Sequence, residues 1–221
     1  FQPDFTWIKG RSDAIAHVLF DSVRGAGGNK ELSSNVTYAE GGNSSISYGF
    51  LSSFNSDGFS VSQGTSSPNQ ADYTNKNSST YAAWNWKAGT SFTNDASATG
   101  IGTIDSTGSV NTDAGFSIVT WSGSGATGTI AHGLGTEPSV IIPKCRTQTA
   151  AWYSYWKPLG NGNAVRLNTT DASASTGIWN NTSPTSSVFS VINNTVVNQS
   201  GHTYVAYCFA EKQGYSKFGS Y

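Results

Sequence analysis

The chain has no methionine, only two cysteines and six prolines, and charged residues make up 11% of it. Each scarcity excludes something. Without Met at its start, the polypeptide is expected to be processed or to be a piece of something longer. Two cysteines cannot supply a disulfide framework, and 221 residues bury cores without one. Cys145 and Cys208 are expected to be buried free thiols. With 12 basic against 13 acidic residues, the net charge of −1 offers no clustered Lys and Arg for nucleic acid. It also offers no basic stretch for an anionic membrane. No apolar run approaches the roughly 18 residues of a transmembrane helix, so membrane insertion is not expected. No charged-then-apolar leader opens the chain. Helix signals are almost missing, with Ser12 to Val18 the one stretch that suits a turn or two.

What is present is a neutral, hydroxyl-rich surface composition beside 36% hydrophobic and 13% aromatic residues, enough apolar bulk for a core. The chain also repeats itself. Placing Pro3 on Pro138 carries Lys9 onto Lys144, Arg11 onto Arg146, Ala16 onto Ala151, Gly25 onto Gly160, Gly27 onto Gly162 and Leu32 onto Leu167 without a gap. After a slip in register, Phe59-Ser60-Val61 matches Phe189-Ser190-Val191. Thr80 to Trp86 then matches Thr203 to Phe209, and Gly115-Phe116-Ser117 is echoed by Gly214-Tyr215-Ser216. A repeat of roughly 90 to 100 residues is domain-sized, longer than solenoid or propeller periods. The expected organisation is a first β-sandwich repeat over 1–89, a Ser/Thr/Gly-rich linker over 90–114, a second repeat over 115–213 and the opening strand of a further repeat over 214–221.

Short β-branched and aromatic runs bounded by Gly, Asn, Ser, Asp or Pro read as strands. They include Phe5 to Ile8, Ser117 to Trp121, Val140 to Ile142, Val188 to Val191 and Tyr204 to Phe209. With turn chemistry such as Asn55-Ser56-Asp57-Gly58 and Gly160-Asn161-Gly162-Asn163 between them, the expected fold is all-β. Each repeat should form a similar antiparallel, jelly-roll-like β-sandwich lobe arising from an internal duplication. Phe5 should superpose on Val140, Leu32 on Leu167 and Tyr81 on Tyr204. Aromatic residues of both parities in Tyr81, Trp84, Trp86 and Tyr204, Tyr207, Phe209 predict central strands covered on both faces.

No catalytic constellation emerges. His17, His132 and His202 sit in unrelated settings, without a nucleophile and orienting group. The carboxylates form neither a calcium-loop spacing nor an acidic pair suited to glycoside cleavage. Asp21 with Arg24 reads as a salt bridge or turn anchor. The expectation is no enzyme activity, no cofactor and no metal. The Asn-x-Ser/Thr triplets at Asn35, Asn43, Asn77, Asn168, Asn180, Asn181, Asn193 and Asn198 follow from composition. Carbohydrate binding is the functional alternative to scaffolding: in Trp152 to Trp156 a period of two sets Trp152, Ser154 and Trp156 on one face and both tyrosines on the other. Their first-copy counterparts His17, Leu19 and Asp21 are partly polar, which suggests an exposed tryptophan face that Trp179 could extend.

The phrases PDFTWIKGRS, HVLFDSVRG, SFNSDGF, GFSIVTW, AHGLGTEPSVIIPK, WNNTSPTSSVF and TYVAYCFAEKQGYSKFGSY resemble the repeated β-rich modules of large tail-fibre-like virion proteins of marine and cyanobacterial tailed bacteriophages. The resemblance covers nearly the whole chain. It implies a structural role in a virion or other extracellular appendage, with an adhesin or receptor-binding module docking on host surface polysaccharide as the alternative. The implied partners are copies of the protein itself or further repeats of a longer parent chain. Tyr221 aligns with Ser122 and Phe1 with Thr136, so tail and head read as consecutive parts of one repeat. The tail is accordingly expected to leave the second lobe and either complete the first lobe of a neighbouring chain, head-to-tail, or continue covalently into a further repeat of a longer parent chain.

Overall fold

The computed structural model describes residues 1–219 and contains two compact units, Phe1–Lys87 and the chain from Ala88 onward. The protein is nearly all β, with antiparallel sheets in both units. No helix among the described residues is long and apolar enough to cross a membrane.

In the first unit, β1 (Phe5–Gly10), β2 (His17–Asp21) and β5 (Tyr81–Trp86) form a three-stranded sheet in the order β2-β1-β5. A hairpin of β3 (Phe50–Asn55) and β4 (Gly58–Ser62) closes over it, turning at the expected Asn55 to Gly58. Ile8, Val18, Phe20 and Leu51 are buried between these layers, and Phe50, Phe54, Phe59, Val61, Tyr73 and Tyr81 pack around them. Residues 12–16, read as a helical turn, form a loop. The short helices lie elsewhere, at Ser45–Tyr48 and Ala96–Thr99.

The second unit contains β6 (Thr90–Asn94), β7 (Ser106–Asn111), β8 (Phe116–Ser122), β9 (Gly128–Ala131), β10 (Val140–Cys145) and β11 (Tyr153–Trp156). It is completed by β12 (Asn163–Arg166), β13 (Ala174–Ser175), β14 (Val188–Val191) and β15 (Thr203–Phe209). Eight strands make one sheet in the order β13-β12-β11-β10-β15-β8-β7-β6, and β9 pairs with β14 in a separate ribbon. Val119, Trp121, Ile141, Tyr155, Tyr204 and Cys208 belong to the same buried core as Ile130, Phe189 and Val191 of the ribbon. Trp121 stacks on Tyr204 at 5.3 Å and meets Phe189 edge-on at 5.7 Å, aromatic geometries that add to area burial.

One three-strand frame occurs in both units. Phe5 pairs with Asp21 on one side and Trp86 on the other; Val140, at the matched position, pairs with Trp156 and Phe209. At the other end Gly10 pairs with Tyr81 and Cys145 with Tyr204. The matched tyrosines also make the same bonds. Tyr81 Oη accepts from Lys76 N at 3.0 Å and donates to Asp72 O at 2.9 Å; Tyr204 Oη accepts from Gln199 N at 2.9 Å and donates to Thr195 O at 3.0 Å. Such a tyrosine ties the chain entering a strand to that strand, as at the corner of immunoglobulin-type sandwiches. The frames diverge afterwards. Leu32 bridges to Leu19, whereas Leu167 donates its amide to Trp152, the counterpart of His17. A two-residue shift preserves which face each side chain occupies.

Three expectations change. Residues 90–114 are not a linker: β6 and β7 extend the eight-stranded sheet, with Thr107 and Thr120 hydroxyls bonded across strands at 3.0 Å. Threonine is β-branched and suits a strand, although a Ser/Thr/Gly-rich stretch reads as low complexity. Second, β15 is central but β5 is not. No strand lies beyond β5 among the described residues, and Trp84 is 49% exposed. Third, Gly214 to Ser216 turn rather than extend, closed by Ser216 N to Lys212 O at 2.9 Å. Residues 215–219 stay on the second unit, where Trp156 Nε1 donates to Gly219 O at 3.1 Å and Phe218 lies edge-on to Trp156. The rest of the expected tail strand, 220–221, lies outside the described residues.

Candidate functional site

The expected sugar platform is not a platform. Trp152 is fully buried, with Lys144 Nζ 5.6 Å from its ring centroid. Lys144 is itself buried and donates to Ala150 O at 2.5 Å, and desolvation pulls its pKa down to about 8. Trp179 is buried against Tyr155 at 5.8 Å. Only Trp156 is half-exposed, and its indole N–H is used on Gly219. The polar counterparts were a misleading guide to exposure. Asp21 is fully buried because Arg24 reaches it, Nε to Oδ2 at 2.5 Å, while the Arg24 amide donates to Oδ1 at 2.9 Å. A paired charge is one of the few that an interior tolerates. The salt bridge read from the sequence at Asp21 and Arg24 is therefore present, inside the protein.

The titratable groups have structural settings. His132 is fully buried, accepting from Leu134 N at Nδ1 (3.2 Å) while Nε2 lies 3.1 Å from Thr185 O. Those partners define the neutral tautomer with its proton on Nε2, and burial lowers the pKa to about 4. His17 accepts from Trp7 Nε1 at 3.2 Å, and His202 lies 2.9 Å from Thr147 Oγ1. Glu31 is buried, its carboxylate gathering the amides of Asn43 and Ser45 and the Ser45 hydroxyl. Desolvation still raises its pKa against those bonds. Cys145 and Cys208 are free and buried, and burial pushes the Cys208 thiol up to about 12. No group of three or more His, Cys, Asp or Glu among the described residues is placed to hold a metal ion.

The surface that stands out is the outer edge of β5. Ala83, Trp84 and Asn85 are exposed, and a shallow cleft beside them is lined by Phe1, Pro3, Phe59 and Trp86. Trp84 meets Trp7 edge-on across the strand pair at 6.4 Å, and Phe1 is 65% exposed. Arg11 N donates to Thr80 O at 2.7 Å. By antiparallel alternation, the amides of Tyr81, Ala83 and Asn85 then point away from β1. An exposed edge carrying large apolar side chains is what soluble proteins ordinarily blunt with charge, proline or cover. The sequence held a signal for it: Trp84-Asn85-Trp86 is more polar than its counterpart Tyr207-Cys208-Phe209.

The whole chain, residues 1–221, matches the family model described as a domain of unknown function, DUF7483, and the protein belongs to that family. No curated protein and no solved structure matches it.

Proposed function

We propose that the protein is a structural component of a virion or other extracellular appendage, of the tail-fibre or spike kind, built from repeated β-sandwich modules. The observation that carries this reading is the three-strand frame found in both units, with matched pairings and matched tyrosine bonds. A chain that uses one frame twice under a neutral Ser, Thr and Asn surface suits a part whose work is to extend and assemble. The reading assigns no catalysis. The resemblance to modules of tailed bacteriophages is what favours a virion location and this kind of particle. Gold-labelled antibody against the protein, applied to intact particles from the source and viewed by electron microscopy, tests it. Label along a fibre or spike is the expected result, and label absent from every particle would overturn the proposal.

The adhesin alternative loses two of its three chosen residues, since neither Trp152 nor Trp179 presents a ring face to solvent and only Trp156 is half-exposed.

A further inference from the structure

We propose that the outer edge of β5 is a docking edge for the C-terminal segment of a second copy of this chain: on assembly, Tyr215–Gly219 of that copy exchange the turn and the Trp156 contacts they make within a single chain for the place of an added antiparallel strand. The second unit supplies the template. There β15 carries β10 on one side and β8 on the other, with Phe209 opposite Phe116, Cys208 opposite Ser117 and Ala206 opposite Val119. In the first unit β5 carries β1 in the β10 position, in the same register, and no strand among the described residues takes the β8 position.

The chain contains a second β8-like segment. Gly115-Phe116-Ser117 opens β8, and Gly214-Tyr215-Ser216 repeats that opening. Transferring the β8 register sets Tyr215 opposite Trp86, Ser216 opposite Asn85, Lys217 opposite Trp84 and Phe218 opposite Ala83. Each pairing has a physical rationale. Tyr215 on Trp86 reproduces the Phe116–Phe209 ring contact, 4.9 Å in the second unit. Lys217 would bring a cation to the exposed Trp84 indole. Ser216 and Phe218 would meet the outward amides of Asn85 and Ala83, the geometry of β-strand addition.

The segment is also cheap to release. Tyr215 is 67% exposed, Lys217 and Gly219 are exposed, and the segment is anchored by the Trp156 indole, Phe209, Glu211 and the turn bonds to Lys212 and Ala210. Exchanging one short segment between copies is a low-cost route to assembly, and because edge and segment are different surfaces, the contact is head-to-tail. The inference does not rest on the appendage reading and holds wherever the protein resides.

Sedimentation velocity of the full chain over a concentration series tests it. Association that grows with concentration is expected. Ala83→Pro removes an outward amide, a change that an edge strand tolerates, and should weaken association at least about tenfold. Ser216→Pro should do the same from the segment side without touching the first unit, so a folding defect in one variant leaves the other decisive. Each variant alone should be monomeric. Mixing them should give a 1:1 complex, because the Ser216→Pro chain retains an intact edge and the Ala83→Pro chain an intact segment. A wild-type chain that is monomeric throughout, association unchanged in both variants, or a mixture of folded variants that fails to pair would each overturn the proposal.

Discussion

A Cβ atom placed on Gly10 would lie 2.3 Å from Cδ1 of Ile15, so the side chain of Ile15 occupies the space that any residue larger than glycine would need. At the matched positions the sizes are exchanged: Cys145 replaces the glycine and Ala150 the isoleucine, and both lie in the second core. The lysine beside each pair is common to both units, Lys9 Nζ reaching Ile15 O at 3.1 Å and Lys144 Nζ reaching Ala150 O at 2.5 Å. The backbone of the corner is the same, with its volume divided differently.

Gly10→Cys should therefore destabilise by about 1–3 kcal/mol through overpacking. The double variant Gly10→Cys/Ile15→Ala should be less damaged than the sum of its singles, with a coupling of about 1 kcal/mol or more. Denaturant melts of the four proteins measure the coupling; strict additivity would show that the two sites do not share this volume.

The recurring tyrosine bonds predict paired phenotypes. Tyr81→Phe and Tyr204→Phe each strand one backbone N–H and one carbonyl, costing about 1–3 kcal/mol where the site is buried. Tyr204 is fully buried and Tyr81 half-buried, so Tyr204→Phe should be the more severe in chemical denaturation.

Acid should find His132. Its folded-state pKa, about 4, lies below the ordinary 6.5, so the folded protein favours the neutral ring. Stability from this group is fully present above pH 6.5 and is lost as pH falls toward 4, by about 3 kcal/mol in all. Glu31, raised by burial, acts in the opposite sense: its carboxylate costs stability progressively as pH rises above its ordinary value of 4.5. His132→Gln should lower the baseline and flatten the decline between pH 6.5 and 4 in urea titrations; a wild-type slope in the variant would refute the assignment.

Arg24 holds the carboxylate of Asp21 and also reaches Lys30 O at 2.6 Å. Arg24→Met should cost about 3–5 kcal/mol by leaving a charge buried without its partner. Arg24→Met/Asp21→Asn should recover part of that loss, which thermal unfolding of the two variants would register.

Much of this fold was legible because strands announce themselves by alternation and the repeat fixed which strands correspond. Pairing Val140 with Phe5 predicted a shared frame that needs no knowledge of contacts. The strand β6 was not legible, since Thr90 to Asn94 offers a single apolar side chain, Phe92, and its pairing with β7 beside it is not written in its own composition. The exposure of the tryptophans was misread for a related reason. Polarity at Asp21 signals water only if no partner neutralises it; the Arg24 partner was readable three residues on, but not that the pair lies inside the protein. The β5 edge was half-visible: the repeat showed what should lie beside it, but its apolar side chains suggested a centre where the sheet has a border.

In the second unit the strand latest in sequence, β15, occupies the middle of the sheet between β10 and β8. On a ribosome, a nascent chain halted anywhere before Thr203 would hold those two neighbours with nothing to join them. Contacts that span so much sequence close slowly, since loop entropy is lost before pairing compensates it. The first unit can finish its sheet once Trp86 has emerged, whereas the second must wait for Phe209. Synthesis thus hands the growing chain a finished first domain while its successor is still an open set of strands, and the two units should mature in the order in which they are made.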